Sequence, residues 1–142
     1  MKEILDNKAI VLPLFAWFLA QSIKFVSHFI KHGKFDFRKF VSSGGMPSSH
    51  SAISVCLATV LGIQYGFDSG IFALSVIFAF IVMADAAGVR RAAGKQAEVI
   101  NKLIYSTDVK VEKELKVLLG HTPIQVFLGA ALGILVGIVF AK

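Results

Sequence analysis

Two short stretches of this chain hold residues whose types and spacing could do chemistry. Gly44-Gly45-Met46-Pro47-Ser48-Ser49-His50-Ser51-Ala52 places a glycine pair, two hydroxyls and a histidine at the entrance to an apolar run. Backbone N–H groups, hydroxyl donors and a proton carrier converge there, which suits a phosphate. Gly120-His121-Thr122-Pro123 introduces a second apolar run with a second histidine, and Asp85, Arg90 and Arg91 close a third. Two histidines at helix entrances, with guanidinium and ammonium groups nearby and no carboxylate or thiol cluster, suit metal-free phosphoryl transfer. One histidine attacks phosphorus, cations stabilise the equatorial oxygens, and the other histidine protonates the leaving alkoxide. A metal route fits less well, because Asp36, Asp85 and Asp108 lack ligand-like spacing and the histidines form no zinc pattern. No metal and no cofactor is therefore expected.

The elements that must position these residues are membrane helices. Of the 142 residues, 56% are hydrophobic and only 17% charged, against about 25% charged in a soluble domain; mean hydropathy is +0.73. A net charge of +6 fits lipid headgroups or an anionic substrate better than nucleic acid at this hydropathy. The single cysteine, Cys56, excludes an intrachain disulfide. Periodicity and caps predict an all-α integral membrane bundle forming one domain over 1–142, with four spans near 9–30, 48–65, 71–88 and 124–141. The third continues as one helix that turns polar as it leaves the membrane, where Asn101 reads as solvated or helix-capping. Val111 to Leu119 reads as a short amphipathic helix. The first span carries Gln21, Lys24, His28 and Lys31 on one stripe, which either snorkels to the interface or faces a polar cavity. No small-residue cleavage site follows it, so it reads as a retained helix rather than a signal peptide.

With four spans, the first and third connections share one membrane face. Eleven lysines and arginines lie there against three, Lys2, Lys8 and Lys142, on the other, which places the polar connections in the cytoplasm. His50, Asp85 with Arg90 and Arg91, and His121 all fall at that face. Tolerated polar substitutions would scatter over both. Gly129, Gly133 and Gly137 recur four apart in the last span, a small-residue pattern that admits a close helix and suggests a homodimer.

Pro47-Ser48-Ser49-His50-Ser51-Ala52 resembles the second signature motif of the type-2 phosphatidic acid phosphatase superfamily, which also contains vanadium-dependent haloperoxidases. With Asp85-Ala-Ala-Gly-Val-Arg-Arg91 and Gly120-His-Thr-Pro-Ile-Gln125, nearly the whole chain resembles its small divergent membrane branch. The first family motif is lysine, six residues, then arginine and proline; Lys31 and Arg38 match its spacing, and Lys39 stands where proline is expected. The resemblance implies that Lys31 and Arg38 bind phosphate and that His50 is the general acid, with Ser49 in a place usually held by glycine. The third motif implies that His121 is the nucleophile. Gln125 stands where its aspartate is expected, and Arg90 or Arg91 must fold back to supply its arginine.

The glutamine matters physically, because a carboxylate fixes the histidine tautomer and stabilises the imidazolium, whereas an amide does only the first. Asp85 is expected to replace that charge from another helix. The expected substrate set is then catalytic His50, His121 and Asp85, with Lys31, Arg38, Ser48, Ser49, Arg90 and Arg91 on the substrate. The resemblance implies a bacterial inner-membrane lipid phosphatase acting on phosphatidylglycerophosphate, phosphatidate or a prenyl phosphate. The alternative is a catalytically silent membrane protein that binds anionic lipid or supports a partner. Vanadate-dependent halide oxidation belongs to soluble members of the superfamily.

Overall fold

The computed structural model describes residues 2–33, 45–106, 115, 117 and 120–141. It is an all-α membrane bundle of α1 (Lys2–Asp6), α2 (Lys8–His32), α3 (Ser49–Tyr65), α4 (Gly70–Ala87), α5 (Val89–Tyr105) and α6 (Pro123–Phe140), with no strand among the described residues. Local chemistry sets most of the boundaries. The side chains of Asn7, Ser48, Ser69 and Thr122 each accept a hydrogen bond from an otherwise orphaned first-turn N–H of the helix that follows. Gly66 turns the chain between α3 and α4 at φ 91, a conformation that suits a residue without a Cβ.

The central helix is α3, with α2 and α6 packed on one side of it and α4 on another, while α2 and α4 share no contact among the described residues. The start of α3 lies beside Lys24 of α2 and Gln125 of α6, and its end meets Phe67 and Phe72 at the start of α4. It therefore traverses the bundle antiparallel to both α2 and α4. Three stretches, Lys8–Lys31, Gly70–Tyr105 and Pro123–Phe140, are long and apolar enough to cross a membrane. The fourth traversing helix, α3, has 17 residues, about 25 Å of rise.

The core is made of small side chains: Ala16, Ala20, Ala52, Cys56, Val60, Val136 and Ala141. Small residues let helix backbones approach closely where lipid gives no hydrophobic reward for association. The glycines of α6 have this role within the chain. A Cβ on Gly129 would strike the Ser48 carbonyl, one on Gly133 would lie 2.5 Å from the Ala52 oxygen, and one on Gly137 would lie 2.6 Å from Thr59. The stripe of Gly129, Gly133 and Gly137, expected to serve a homodimer, packs against α3 of the same chain.

Two further expectations change. The long third helix breaks at Gly88, whose N–H bonds the Ala84 carbonyl at 2.8 Å before α5 begins. The amphipathic helix expected at 111–119 falls outside the described residues except for Leu115 and Val117, and neither is helical. Asn101 is not solvated: its Nδ2 donates to the Leu115 carbonyl at 2.9 Å and its Oδ1 accepts from the Leu115 N–H at 3.0 Å. It lies on the buried face of α5 with Gly94 and Ala97. Asn101→Ala is expected to remove both bonds, cost about 2 kcal/mol of stability and speed amide exchange at Leu115. Unchanged exchange there would contradict the clamp.

Candidate active site

The site is built where α3, α5 and α6 begin and α2 ends. Three helix N-termini, each the positive end of its peptide dipoles, share this end of the bundle. Two backbone bonds lock it: Ser48 N donates to the Gln125 carbonyl at 2.9 Å, and His121 N donates to the Ala86 carbonyl at 3.0 Å. The second satisfies a carbonyl that the end of α4 would leave orphaned.

Ser48 and Ser49, expected together on substrate, divide. The Ser48 hydroxyl oxygen accepts from Ser51 N at 3.3 Å and from the Ser51 hydroxyl at 3.0 Å, and the residue is fully buried. Ser48 is thus the cap of α3: both acceptor sites of its hydroxyl are used within the helix, which leaves its O–H as the group it could turn to a substrate. Ser49 accepts from Lys24 Nζ at 3.2 Å.

Lys24 is the cation that the sequence-derived site set left out. It is 6% exposed and Gln21, one turn before it, 3% exposed, so neither snorkels and this half of the stripe faces inward. The signal was the Gln21, Lys24, His28, Lys31 spacing itself. Lys31 is exposed near the end of α2, about 10 Å of helix rise beyond Lys24. Arg38 lies outside the described residues.

His50 and Arg90 meet, with Arg90 Nη1 3.2 Å from His50 Nε2. A guanidinium has donors only, so His50 Nε2 is the acceptor and carries no proton in this arrangement. Arg90 Nε donates to Asp85 Oδ2 at 2.6 Å. Asp85 was expected to stand in for the missing carboxylate on His121; its charge is instead spent on Arg90, which turns it toward His50. Arg91 is exposed, and its backbone packs on Gly120, where a Cβ would clash with it. Of the two arginines, Arg90 is the one brought to the histidines.

His121 is almost fully buried. Its Nδ1 lies 3.2 Å from Gln125 Oε1, the same atom that accepts the Thr122 N–H at 3.0 Å. A backbone N–H can only donate, so this atom is the amide oxygen, and His121 Nδ1 must carry the hydrogen. The Nε2 lone pair is then unprotonated, and Nε2 is buried without a hydrogen-bond partner at hydrogen-bonding geometry among the described residues. Burial holds this ring below its ordinary pKa, and the charges of Lys24 and Arg90 push the same way against the opposing pull of Gln125 and the Gly45 backbone. Gln125 also completes the capping box with Thr122, so one amide ends the helix cleanly and sets the tautomer.

The two imidazole rings lie 6.2 Å apart, centroid to centroid, tilted by 59°. Around them stand Lys24, Arg90 and one carboxylate already paired. Such a site can hold a tetrahedral oxyanion and offers one neutral histidine as nucleophile. Among the described residues no group of three or more His, Cys, Asp or Glu is placed to hold a metal ion.

Comparison with known proteins agrees with this architecture. The family model described as Divergent PAP2 family matches residues 5–136. The uncharacterized membrane protein YuiD of Bacillus subtilis (strain 168) is 44% identical over 153 aligned residues, covering 98% of this chain and 97% of that protein. No solved structure matches the chain.

Proposed function

The chain belongs to the divergent PAP2 family, and on that premise we propose that it is a membrane phosphatase removing phosphate from a phosphomonoester lipid. The observation that carries the reading is the histidine pair, with His121 held by Gln125 in the tautomer that leaves Nε2 free to attack. In the first step His121 Nε2 bonds to phosphorus and the bond from phosphorus to the lipid oxygen breaks. Protonated His50 gives its proton to the departing alkoxide. In the second step His50 takes a proton from water, the hydroxide oxygen bonds to phosphorus, the P–N bond breaks, and inorganic phosphate leaves. Lys24, Ser49 and Arg90 line the place where the phosphoryl oxygens must sit, and Asp85 orients Arg90.

A site at one end of a membrane bundle can take a headgroup while the acyl or prenyl chains stay in the bilayer. Phosphatidylglycerophosphate, phosphatidate and prenyl phosphates are the candidate substrates. The lysine and arginine bias supports a cytoplasmic orientation of this end in an inner membrane, and that side favours phosphatidylglycerophosphate.

The test is phosphate release from these three lipids by purified protein with EDTA present, beside His50→Ala. The reading expects release from at least one lipid and a fall of about 10²-fold or more in the variant. Release that survives His50→Ala removes the acid. No release from any lipid favours a second reading, oxyanion binding without turnover, which Gln125 in the carboxylate's place supports.

A further inference from the structure

We propose that Arg90 ties proton uptake by His50 to the arrival of a tetrahedral dianion, so that the phosphoryl group generates the acid its own cleavage requires. The inference rests on the reading that this end of the bundle binds phosphoryl groups, and it goes beyond that reading by giving Arg90 and Asp85 a shared task. Arg90 Nη1 donates to His50 Nε2 at 3.2 Å while its Nε is held on Asp85 at 2.6 Å. The lone pair that must accept the catalytic proton is thereby engaged by a cation.

The charged and titratable groups around His50 come from four elements: Arg90 of α5 on its Nε2, Lys24 of α2 on the neighbouring Ser49, His121 ahead of α6 at 6.2 Å between ring centroids, and Asp85 of α4 on Arg90. Asp85 is committed to Arg90. Among the described residues His50 Nδ1 is buried without a hydrogen-bond partner. With Nε2 accepting from Arg90, the resting histidine is neutral, which keeps a further cation from standing beside Lys24 and the Asp85-paired Arg90.

A dianion reverses this balance. Its oxygens are better acceptors for Nη1 than a neutral imidazole, because both partners are then charged. Arg90 can turn Nη1 to the anion while Nε stays on Asp85, so the carboxylate acts as a pivot. His50 Nε2 is released beside two new negative charges and takes one proton from solvent. No covalent bond changes; the net process is one dianion and one proton bound together. Arg90 is thus a positioning residue, acting through His50.

The experiment uses sulfate and the full chain in detergent. Sulfate remains a dianion near neutral pH, so any proton taken up on binding belongs to the protein. Calorimetric titrations in two buffers of different ionisation enthalpy are expected to give about one proton per sulfate, with affinity rising about tenfold for each unit of pH decrease. His50→Asn should abolish the uptake. In Arg90→Lys a single ammonium cannot bridge Asp85 and His50, so uptake should fall below half and the ligand-free His50 ring should titrate at higher pH by NMR. Sulfate binding without proton uptake, uptake unchanged in His50→Asn, or failure of sulfate to bind overturns the proposal. Lipid hydrolysis is scored separately: coupled uptake without hydrolysis keeps this inference and removes the phosphatase, while hydrolysis with uncoupled binding does the reverse.

Discussion

His121→Ala is expected to lower phosphate release by at least about 10³-fold, because its Nε2 is an unprotonated imidazole nitrogen with no hydrogen-bond partner among the described residues. The loss should be in turnover rather than fold. The variant gives up one side-chain hydrogen bond, and Gln125 Oε1 keeps the Thr122 N–H. The same ring sets the acid side of the pH profile. His121 must be neutral to attack, and burial first, then the charges of Lys24 and Arg90, hold it below the ordinary histidine value. As pH falls, release should therefore persist below about 6.5 before it declines. Full activity in His121→Ala, or an acid limb centred above that value, would take the nucleophile away from this residue.

Gly133→Leu is expected to cost about 3 kcal/mol or more. Even a Cβ at this position would stand 2.5 Å from the Ala52 carbonyl oxygen and 2.8 Å from Cys56 N. Both are backbone atoms of the central helix, so nothing can rotate aside and α6 must move off α3. The displacement would reach the site, because the Ser48 to Gln125 backbone bond joins the same two helices at their N-terminal ends. Thermal unfolding in detergent should show the loss, with phosphate release falling in parallel. A variant that melts like the parent would mean that α6 reaches α3 differently.

How much of the site was legible depended on the kind of residue. Ser48 has the composition of a phosphate ligand and the position of a helix cap, and local sequence cannot separate those roles; its two bonds to Ser51 show the cap. Gln125 was legible as a departure from the expected aspartate, and its consequence, a fixed tautomer without a charge, follows from amide chemistry and is what the geometry contains. Asp85 was marked as needing a partner, but its choice of Arg90 over His121 depends on how α5 leaves α4 at Gly88. Asn101 gave no local sign of its grip on Leu115, since the two are far apart along the chain.

The membrane class, the helical content, the starts of α3, α4 and α6 at Ser48, Ser69 and Thr122, and the gathering of both histidines at one end follow from sequence alone. Each depends on hydropathy, on the helical period, or on a cap satisfying its own first turn, and all of these act within a few residues. Which residues face one another was decided by tertiary structure. Lys24 and Lys31 are two turns apart on one stripe and differ only in depth, so the bundle's length selects between them. Arg90 and Arg91 are adjacent in sequence but about 100° apart around α5, so the rotation of that helix decides which guanidinium meets His50. The glycines of α6 announce a close helix without naming it. Only packing shows that α3 of the same chain fills the place.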